Sequence, residues 1–357
     1  MTRQTARRDS PARAARRVAD RVDPSDVAIV VPVGGAAPAW ERCARSLARL
    51  DPAPGEIVAV IDGADGDLAA RAVQIGARVV ALDESGGPAR ARNRGVEQTG
   101  RDIVLFVDSD VEVPRRLVAR VARCFTAEPT LSAVFGSYDD TPGHRGMFSQ
   151  YRNLLHHFVH QQGQEAASTF WAGCGALRRR AFLEVGGFDE RYAEPSVEDI
   201  ELGSRLRRAG HTIRLVKDLQ VKHLKRWRLP DLLATDLWRR AVPWAQLMAR
   251  ERQTVNDLNV RTRDRVSVLL AYVSLIALLA AWIWPPALAV GGAAVVALAA
   301  LNAHLFRFFV RTRGLRFALT AIPLHVAYLV VCGLGVALGL GQHLFGRHRD
   351  RVRSSQR

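Results

Sequence analysis

Four continuous apolar runs, each followed by a helix-patterned stretch, restrict the first third of this chain to one class of fold. They are VAIVVPV (Val27–Val33), EIVAVID (ending at Asp62), ARVVALD (Ala77–Asp83) and DIVLFVD (ending at Asp108). A strand with one wet face alternates apolar and polar residues, whereas a strand that is apolar throughout is buried on both faces. Such strands need helices above and below them. AWERCARSLARL supplies one, with Trp40, Cys43, Leu47 and Leu50 on one side. PARARNRGVEQ reads as another, and Pro114 opens a helix after the fourth strand, at the first-turn position that proline tolerates. The expectation is an α/β fold with a largely parallel, doubly covered sheet. Ligands on such sheets sit beyond the C-terminal strand ends, where Asp62 and Asp108 fall.

From about Leu131 the alternation loosens. LSAVFGSYDD is strand-like, GMFSQYRNLLHHFVHQQ helical, and FWAGCGALRR a strand whose small residues allow close backbone approach. SVEDIELGSRLRRAG reads as a helix with a Ser cap and a Gly stop, and TIRLV and LQVKH as two short strands. This half suits a subdomain that binds a second substrate.

The last third is written for another solvent. RLPDLLATDLWRRAVPWAQLMARE mixes Leu, Trp and Arg, as in helices that lie at a membrane interface. Val266–Trp284 is uncharged and long enough to span a bilayer. A tight hairpin at Pro285-Pro286 leads into a second apolar run, Arg307–Arg316 reads as a basic loop, and Phe317–Leu340 is a third apolar run. Pro323 and several glycines in that run suggest a broken or re-entrant element that returns the basic C-terminus to the cytoplasm. The positive-inside rule puts the half built of alternating strands and helices, and the Arg307–Arg316 loop, on the cytoplasmic side.

The formal net charge is +16 over 357 residues, which directs the chain toward polyanions. Aromatic content is only 7 % and no zinc-finger or RNA-binding signature is present, which argues against nucleic acid. Anionic lipid and phosphorylated substrates remain. Cys43, Cys124, Cys174 and Cys332 have no metal-knuckle or redox spacing and read as free thiols.

Within this frame the acids stand out. Asp108-Ser109-Asp110 has two readings: turn acids before a helix, or a pair of hard oxygen donors for a divalent cation shared with substrate phosphates. Asp62 ends a parallel strand, either as a plain turn residue or as an acceptor for a base or ribose. In GPARARNRG, Arg90, Arg92, Asn93 and Arg94 crowd a helix start where phosphate oxygens are welcome, although some must be solvated surface. Ser196-x-x-Asp199 resembles a capping box, but Asp199 is equally placed to act as a general base, with Glu198 beside it orienting or structural.

Taken in order, VVP, an acid at the second strand, ARN-x-G, Asp-x-Asp, GG-F-D-E and Glu-Asp resemble family 2 glycosyltransferases with the GT-A nucleotide-sugar-binding fold, over roughly Val27 to His223. The resemblance implies an inverting, metal-dependent transfer of a sugar from a nucleotide-diphospho-sugar, with Mg²⁺ or Mn²⁺ as cofactor. It implies donor binding by Pro32, Asp62, Arg90, Asn93, Asp108, Trp171 and Gly173, a metal held by Asp108 and Asp110 with His223 in reach, and catalysis by Asp199 with Glu198. The second strand carries Ile61-Asp62 where many members have paired acids, and the Gln-x-x-Arg-Trp motif of many processive synthases is missing, which favours single additions. Trp171 is open to sugar stacking or to core packing. His156, His157 and His160 read as surface or packing histidines.

The expected organisation is a flexible basic tail over residues 1–25, a GT-A domain over 26–225, interfacial helices over 226–262, two or three transmembrane helices over 263–345 and a basic tail over 346–357. The expected partners are the nucleotide-sugar, a lipid or lipid-linked saccharide acceptor and the cell membrane, in a multi-pass arrangement with the catalytic half in the cytoplasm. The alternatives are transfer to a polyprenyl phosphate, where Asp199 matters less, and a non-catalytic nucleotide-sugar-binding membrane protein.

Overall fold

The computed structural model describes residues 21–34, 37–63, 65–251, 258 and 261–354, with side chains described as far as residue 345. Residues 1–20 of the expected basic tail lie outside the described residues, as do residues 355–357 of the second tail.

The four apolar runs form the strands expected of them. β1 (Val27–Val33), α1 (Ala37–Leu47), β2 (Glu56–Asp62), α2 (Gly66–Gln74), β3 (Arg78–Leu82), α3 (Gly87–Glu97) and β4 (Ile103–Val107) follow in strict alternation. β5 (Val111–Glu112), α4 (Leu117–Ala127), β6 (Ala133–Tyr138), α5 (Met147–Gln162), β7 (Cys174–Arg178), α6 (Arg179–Glu184), α7 (Glu198–Arg208) and β8 (Ile213–His223) complete the domain. The sheet order is β3-β2-β1-β4-β7-β6-β8-β5. β1 to β4 are parallel, β7 runs antiparallel between β4 and β6, and β8 lies parallel to β6.

Every residue of β1 is buried, with alternate residues serving opposite cores. Val27, Ile29, Val31 and Val33 meet Trp40 and Leu47 of α1, Leu68 of α2 and Val121 of α4. Val30 faces the other way, toward Ala89 and Val96 of α3, Phe182 of α6 and Leu202 of α7. Each fully buried large apolar side chain contributes about 1.5–3 kcal/mol, so the apolar runs specify the double cover energetically as well as by pattern.

Several local expectations are corrected. TIRLV and LQVKH form one eleven-residue strand, β8, whose register with β6 shifts between Phe135 and Ser137. α4 begins at Leu117, three residues after Pro114, so Pro114 precedes the helix and does not open it. α7 begins at Glu198 with Val197 as its unassisted N-cap, and Ser196 Oγ donates to Arg239 O. The capping box is therefore absent, because the Ser196 hydroxyl is used in a tertiary contact.

After β8 the chain is helical: α8 (Leu229–Ala234), a π-helical segment (Thr235–Ala241), α9 (Val242–Glu251), α10 (Thr262–Ala280), α11 (Ala287–Leu301), α12 (Ala303–Arg313) and α13 (Leu315–Ser354). The basic stretch Arg307–Arg316 is not a loop: it is helical to Arg313, breaking at Gly314. Nor is the third apolar run broken, since α13 continues through Pro323. Its glycines serve another purpose. A Cβ on Gly335 would lie 2.3 Å from Ala241 Cβ, and one on Gly339 2.6 Å from Val242 O, so this small-residue face lets α13 cross the π segment and α9 at backbone distance. Among the described residues one helix, Leu315–Phe345, is long and apolar enough to cross a membrane, and α11 with α12 passes only as a pair bent by 64°. A third core ties these helices to the α/β domain, joining Tyr151 and Phe158 of α5 to Leu305 and Phe309 of α12 and Leu324 of α13.

Candidate active site

The sheet opens a crevice where β1 has β2 on one side and β4 on the other, the switch point at which open α/β sheets bind ligands. A cleft of about 500 Å³ lies there. Of the residues singled out from the sequence, Pro32, Asp62, Asp108, Asp110 and His223 line it. Arg90, Asn93, Trp171, Gly173, Glu198 and Asp199 stand behind or beside its wall.

Sheet register explains why the acids converge. β4 pairs with β7 so that Val107 faces Cys174, and the Asp108 N–H donates to Gly173 O across the strand ends. A Cβ on Gly173 would lie 2.3 Å from the Trp171 ring, so only glycine fits behind Asp108. β5 pairs with β8 so that Val111 faces His223. That pairing leaves Asp110 Oδ2 3.6 Å from His223 Nε2. Burial works to raise the Asp110 carboxyl, but the hydrogen bond and charge of His223, helped by Lys225, hold it below the usual carboxylate range. His223 is itself buried and stacked on Tyr138, with ring centroids 4.1 Å apart.

Arg92 organises the centre. It is 4 % exposed, and its guanidinium joins the two acidic motifs: Nη2 lies 2.7 Å from Asp108 Oδ1 and Nη1 2.9 Å from Glu198 Oε1. A rigid fork of donors suits this bridging role better than a lysine point charge. Burial lifts the Asp108 carboxyl above its ordinary value, and Arg92 opposes the rise. The sequence placed Arg92 among basic residues at a helix start without separating it from Arg90 and Arg94. The signal that distinguishes it is its position next to two small buried residues, Ala91 and Gly95, on the inner face of α3.

Glu198 is committed to structure on both oxygens, since Oε2 accepts from the Ser196 N–H at 2.8 Å. Asp199 differs. Among the described residues its oxygens accept from the backbone N–H groups of Ala172 and Ile200 alone, at 3.2 and 2.8 Å. Burial pushes its carboxyl up to about 7, Glu198 adds to the rise and Arg92 opposes it. A carboxyl poised near neutrality beside a cleft has the property required of a general base.

The remaining residues divide. Asp62 lines the cleft with both oxygens engaged, accepting from Gly86 N at 2.7 Å, Gly87 N at 3.0 Å and Ser85 Oγ at 3.0 Å. It fixes the loop that leads into α3. Asn93 clamps the backbone of Phe188, donating to its O and accepting from its N–H, both at 2.9 Å, so it holds the GGFDE turn in place. The Arg90 side chain folds back over Gly86. Trp171 packs edge-on to Tyr138 and against His156. His157 and His160 bond to the carbonyls of Tyr138 and Gly136, which makes those two packing residues, whereas His156 lines the cleft. The sequence reading missed Tyr138, Arg152, Lys225, Arg239 and Arg240, which also line the cleft. All come from the looser second half, where no strand-end pattern marks them.

Mg²⁺ or Mn²⁺ is compatible with this donor set. Among the described residues no three His, Cys, Asp or Glu side chains form a ready cage. Asp110 nevertheless presents a partly exposed, low-pKa carboxylate to the cleft. One or two carboxylates completed by substrate phosphates and water is how such hard cations are usually held.

Comparison with known proteins agrees with this geometry. The model of the family described as glycosyl transferase family 2 matches residues 28–186, and that described as the N-terminal domain of galactosyltransferase matches residues 152–228. Residues 28–186 are therefore a region similar to glycosyltransferase family 2. The first match spans β1 to α6, including Arg92 and Asp108-Ser109-Asp110, and the second includes Glu198, Asp199 and His223. Over 222 residues the chain is 30 % identical to the pre-mycofactocin glycosyltransferase of Mycobacterium tuberculosis, an alignment covering 58 % of this chain and 45 % of the relative. It is 26 % identical over 204 residues to the poly-beta-1,6-N-acetyl-D-glucosamine synthase of Staphylococcus aureus, covering 54 % and 47 %. The chain thus spans about half the length of these curated relatives. A mannosyltransferase from Pyrobaculum calidifontis, solved with GDP-Man and Mn²⁺, superposes with a TM-score of 0.53 at 20 % identity, over 91 % of this chain and 93 % of that one. The fold is GT-A.

Proposed function

We propose that this glycosyltransferase is a metal-dependent, inverting enzyme that moves a sugar from a nucleotide-diphospho-sugar to a lipid or lipid-linked saccharide acceptor at the cytoplasmic face of the cell membrane. The observation that carries this reading is the Arg92 bridge: Arg92 lines the cleft with Asp108 and Asp110, bonds Asp108, and ties Glu198, with Asp199 next to it, to the same wall. In the proposed reaction, Asp199 takes the proton of an acceptor hydroxyl as its oxygen attacks the anomeric carbon. The bond from that carbon to the diphosphate breaks, its electron pair stays on the diphosphate oxygen, and a single displacement inverts the centre. Lys225, Arg239 and Arg240 in the cleft wall offset the charge on the departing diphosphate. Asp62 and the loop it anchors border the position for the base and ribose. Mg²⁺ or Mn²⁺, held by Asp110 and Asp108 with His223 beside them, would supply charge neutralisation at the diphosphate.

Membrane attachment is supported by the apolar helix Leu315–Phe345 and by the outward faces of α10 and α11, where Leu269, Ile276, Leu279 and Val296 are all at least 61 % exposed. Exposed apolar surface on that scale needs a cover. The multi-pass arrangement rests on the three apolar runs of the sequence, and the cytoplasmic placement on the positive-inside rule. The proposed division remains a GT-A domain over 26–225, interfacial helices over 226–262 and a membrane region over 263–345.

The test is a panel of nucleotide-sugars offered to the full chain in detergent with Mn²⁺, read by donor turnover and by thermal stabilisation. One donor is expected to be turned over by the wild type and not by Asp110→Ala. A wild type that binds a donor without turning it over would instead mark a non-catalytic nucleotide-sugar-binding protein.

A further inference from the structure

A second cavity adjoins the donor cleft. It has a volume of about 460 Å³ and is walled mainly by apolar side chains, among them Leu155, Phe158, Trp244, Met248, Val336 and Leu340. It lies between α5, α9 and α13, on the side of the molecule that carries the exposed apolar helices. Arg152 and Arg240 line both this cavity and the donor cleft, so the two spaces meet at a pair of guanidiniums. Both arginines reach the same oxygen of Asp236, at 3.1 and 3.4 Å from Oδ1. Asp236 is 2 % exposed, and its Oδ2 has no hydrogen-bond partner among the described residues. It belongs to the π-helical segment Thr235–Ala241, a backbone irregularity of the kind that often marks functional sites.

Charge identifies what fits. The junction itself carries two arginines against one aspartate. On the cavity side Arg263 and Arg265 stand against the single acid Asp264, so the cavity lining carries four arginines against two aspartates, whereas on the cleft side Arg239 is paired with Glu194. An apolar space with a net cationic mouth suits a molecule with a long apolar chain and an anionic head. We propose that this cavity is the acceptor site, and that the acceptor is a phosphate-bearing lipid whose chain lies along α9 and α13 and whose phosphate sits at Arg152 and Arg240. The assignment rests on the glycosyltransferase reading above and narrows its acceptor to one chemical class. Two sources share that chemistry: a simple lipid monophosphate, whose phosphate oxygen would itself attack and leave Asp199 without a proton to take, and a saccharide joined to a lipid through phosphate, whose sugar hydroxyl Asp199 would deprotonate.

The test measures binding to the full chain in detergent, with four probes: a long-chain isoprenyl monophosphate, the isoprenol of the same length, inorganic phosphate, and an isoprenyl-diphosphate-linked sugar. The wild type is expected to bind the monophosphate at least about tenfold more tightly than the isoprenol or inorganic phosphate. The diphosphate-linked sugar binding tighter than the monophosphate would assign the site to a lipid-linked saccharide, and the reverse order to the simple lipid phosphate. Val336→Trp fills the cavity from a position that is 42 % exposed, and should weaken the monophosphate about tenfold. Arg240→Gln should bring the affinities of monophosphate and isoprenol to within about threefold of each other. Equal binding of monophosphate and isoprenol by the wild type, or monophosphate affinity untouched by Val336→Trp, would overturn the proposal. Stabilisation by a nucleoside diphosphate, measured on the same wild-type sample, separates the two readings. If it persists while lipid binding fails, only the acceptor site falls. If it is absent while the lipid binds, the donor reading falls.

Discussion

Asp199 and Glu198 are neighbours in sequence and opposites in chemistry. Glu198 is paired with Arg92 and bonded to a backbone N–H, while Asp199 has no ion-pair partner among the described residues and burial pushes its carboxyl up to about 7. If Asp199 is the base, kcat/KM should fall about tenfold per pH unit below about 7, because only the ionised carboxylate accepts the proton. Asp199→Asn should lower kcat by about 10²–10⁴-fold. Its stability provides a control with a definite sign. The Asp199 carboxyl holds its proton more tightly folded than unfolded, so its contribution to stability declines as pH rises from about 4 to about 7. Asp199→Asn removes that penalty, and its Tm at pH 8 should equal or exceed the wild-type value. A variant that loses activity and melts early would instead make Asp199 a structural residue. Arg92→Met is predicted to behave differently: it strands two carboxylates and should cost about 3–5 kcal/mol in denaturant unfolding. The Glu-Asp pair was legible in the sequence as a place for a base. The roles within the pair were not, because they depend on which acid the buried guanidinium reaches.

Helix α3 shows how an element turns a short motif into a position. Gly95 lies where α3 crosses β1, and a Cβ there would approach Val30 Cγ1 to 2.3 Å. This close contact brings the helix near enough to the sheet for Arg92 to reach Asp108 at the end of β4. Gly95→Val should therefore cost about 1–3 kcal/mol by overpacking. It should also impair turnover more than donor binding, a difference that steady-state kinetics would reveal. The strands of the first half were readable to within a residue or two, because being buried on both faces leaves a continuous apolar run. β7 and β8 were harder. Their pairing is antiparallel or long-range, and nothing in the local sequence of β8 states that its end, His223, will lie beside Asp110.

At the scale of the molecule, the catalytic domain is joined to its apolar helices through a shared core around Tyr151 and Phe309, so the donor cleft keeps a set orientation to them. The loop between α10 and α11 ends in Trp282 and Ile283, which are 94 % and 88 % exposed. Two such side chains at one tip are suited to the lipid interface. Vesicles with anionic lipid should bind the full chain and shift its tryptophan emission to shorter wavelength, and Trp282→Asp combined with Ile283→Asp should weaken that binding by about tenfold or more. Unchanged vesicle binding by the double variant would remove this tip from the membrane contact.

The alternation of strands and helices along the first half, the double cover of the sheet and the presence of acids at two strand ends were determined by the sequence itself, because burial on both faces and the special chemistry of strand ends are local signals. What only the tertiary structure decided is which of those acids meet. Arg92 joins Asp108 to Glu198 across 90 residues of chain, the β5–β8 pairing brings His223 to Asp110, and a π-helical segment places Arg240 at the boundary of two cavities. Contacts of that kind are set by register and by helix crossing distance. Those quantities arise from packing the whole chain, and no short stretch of it carries them alone.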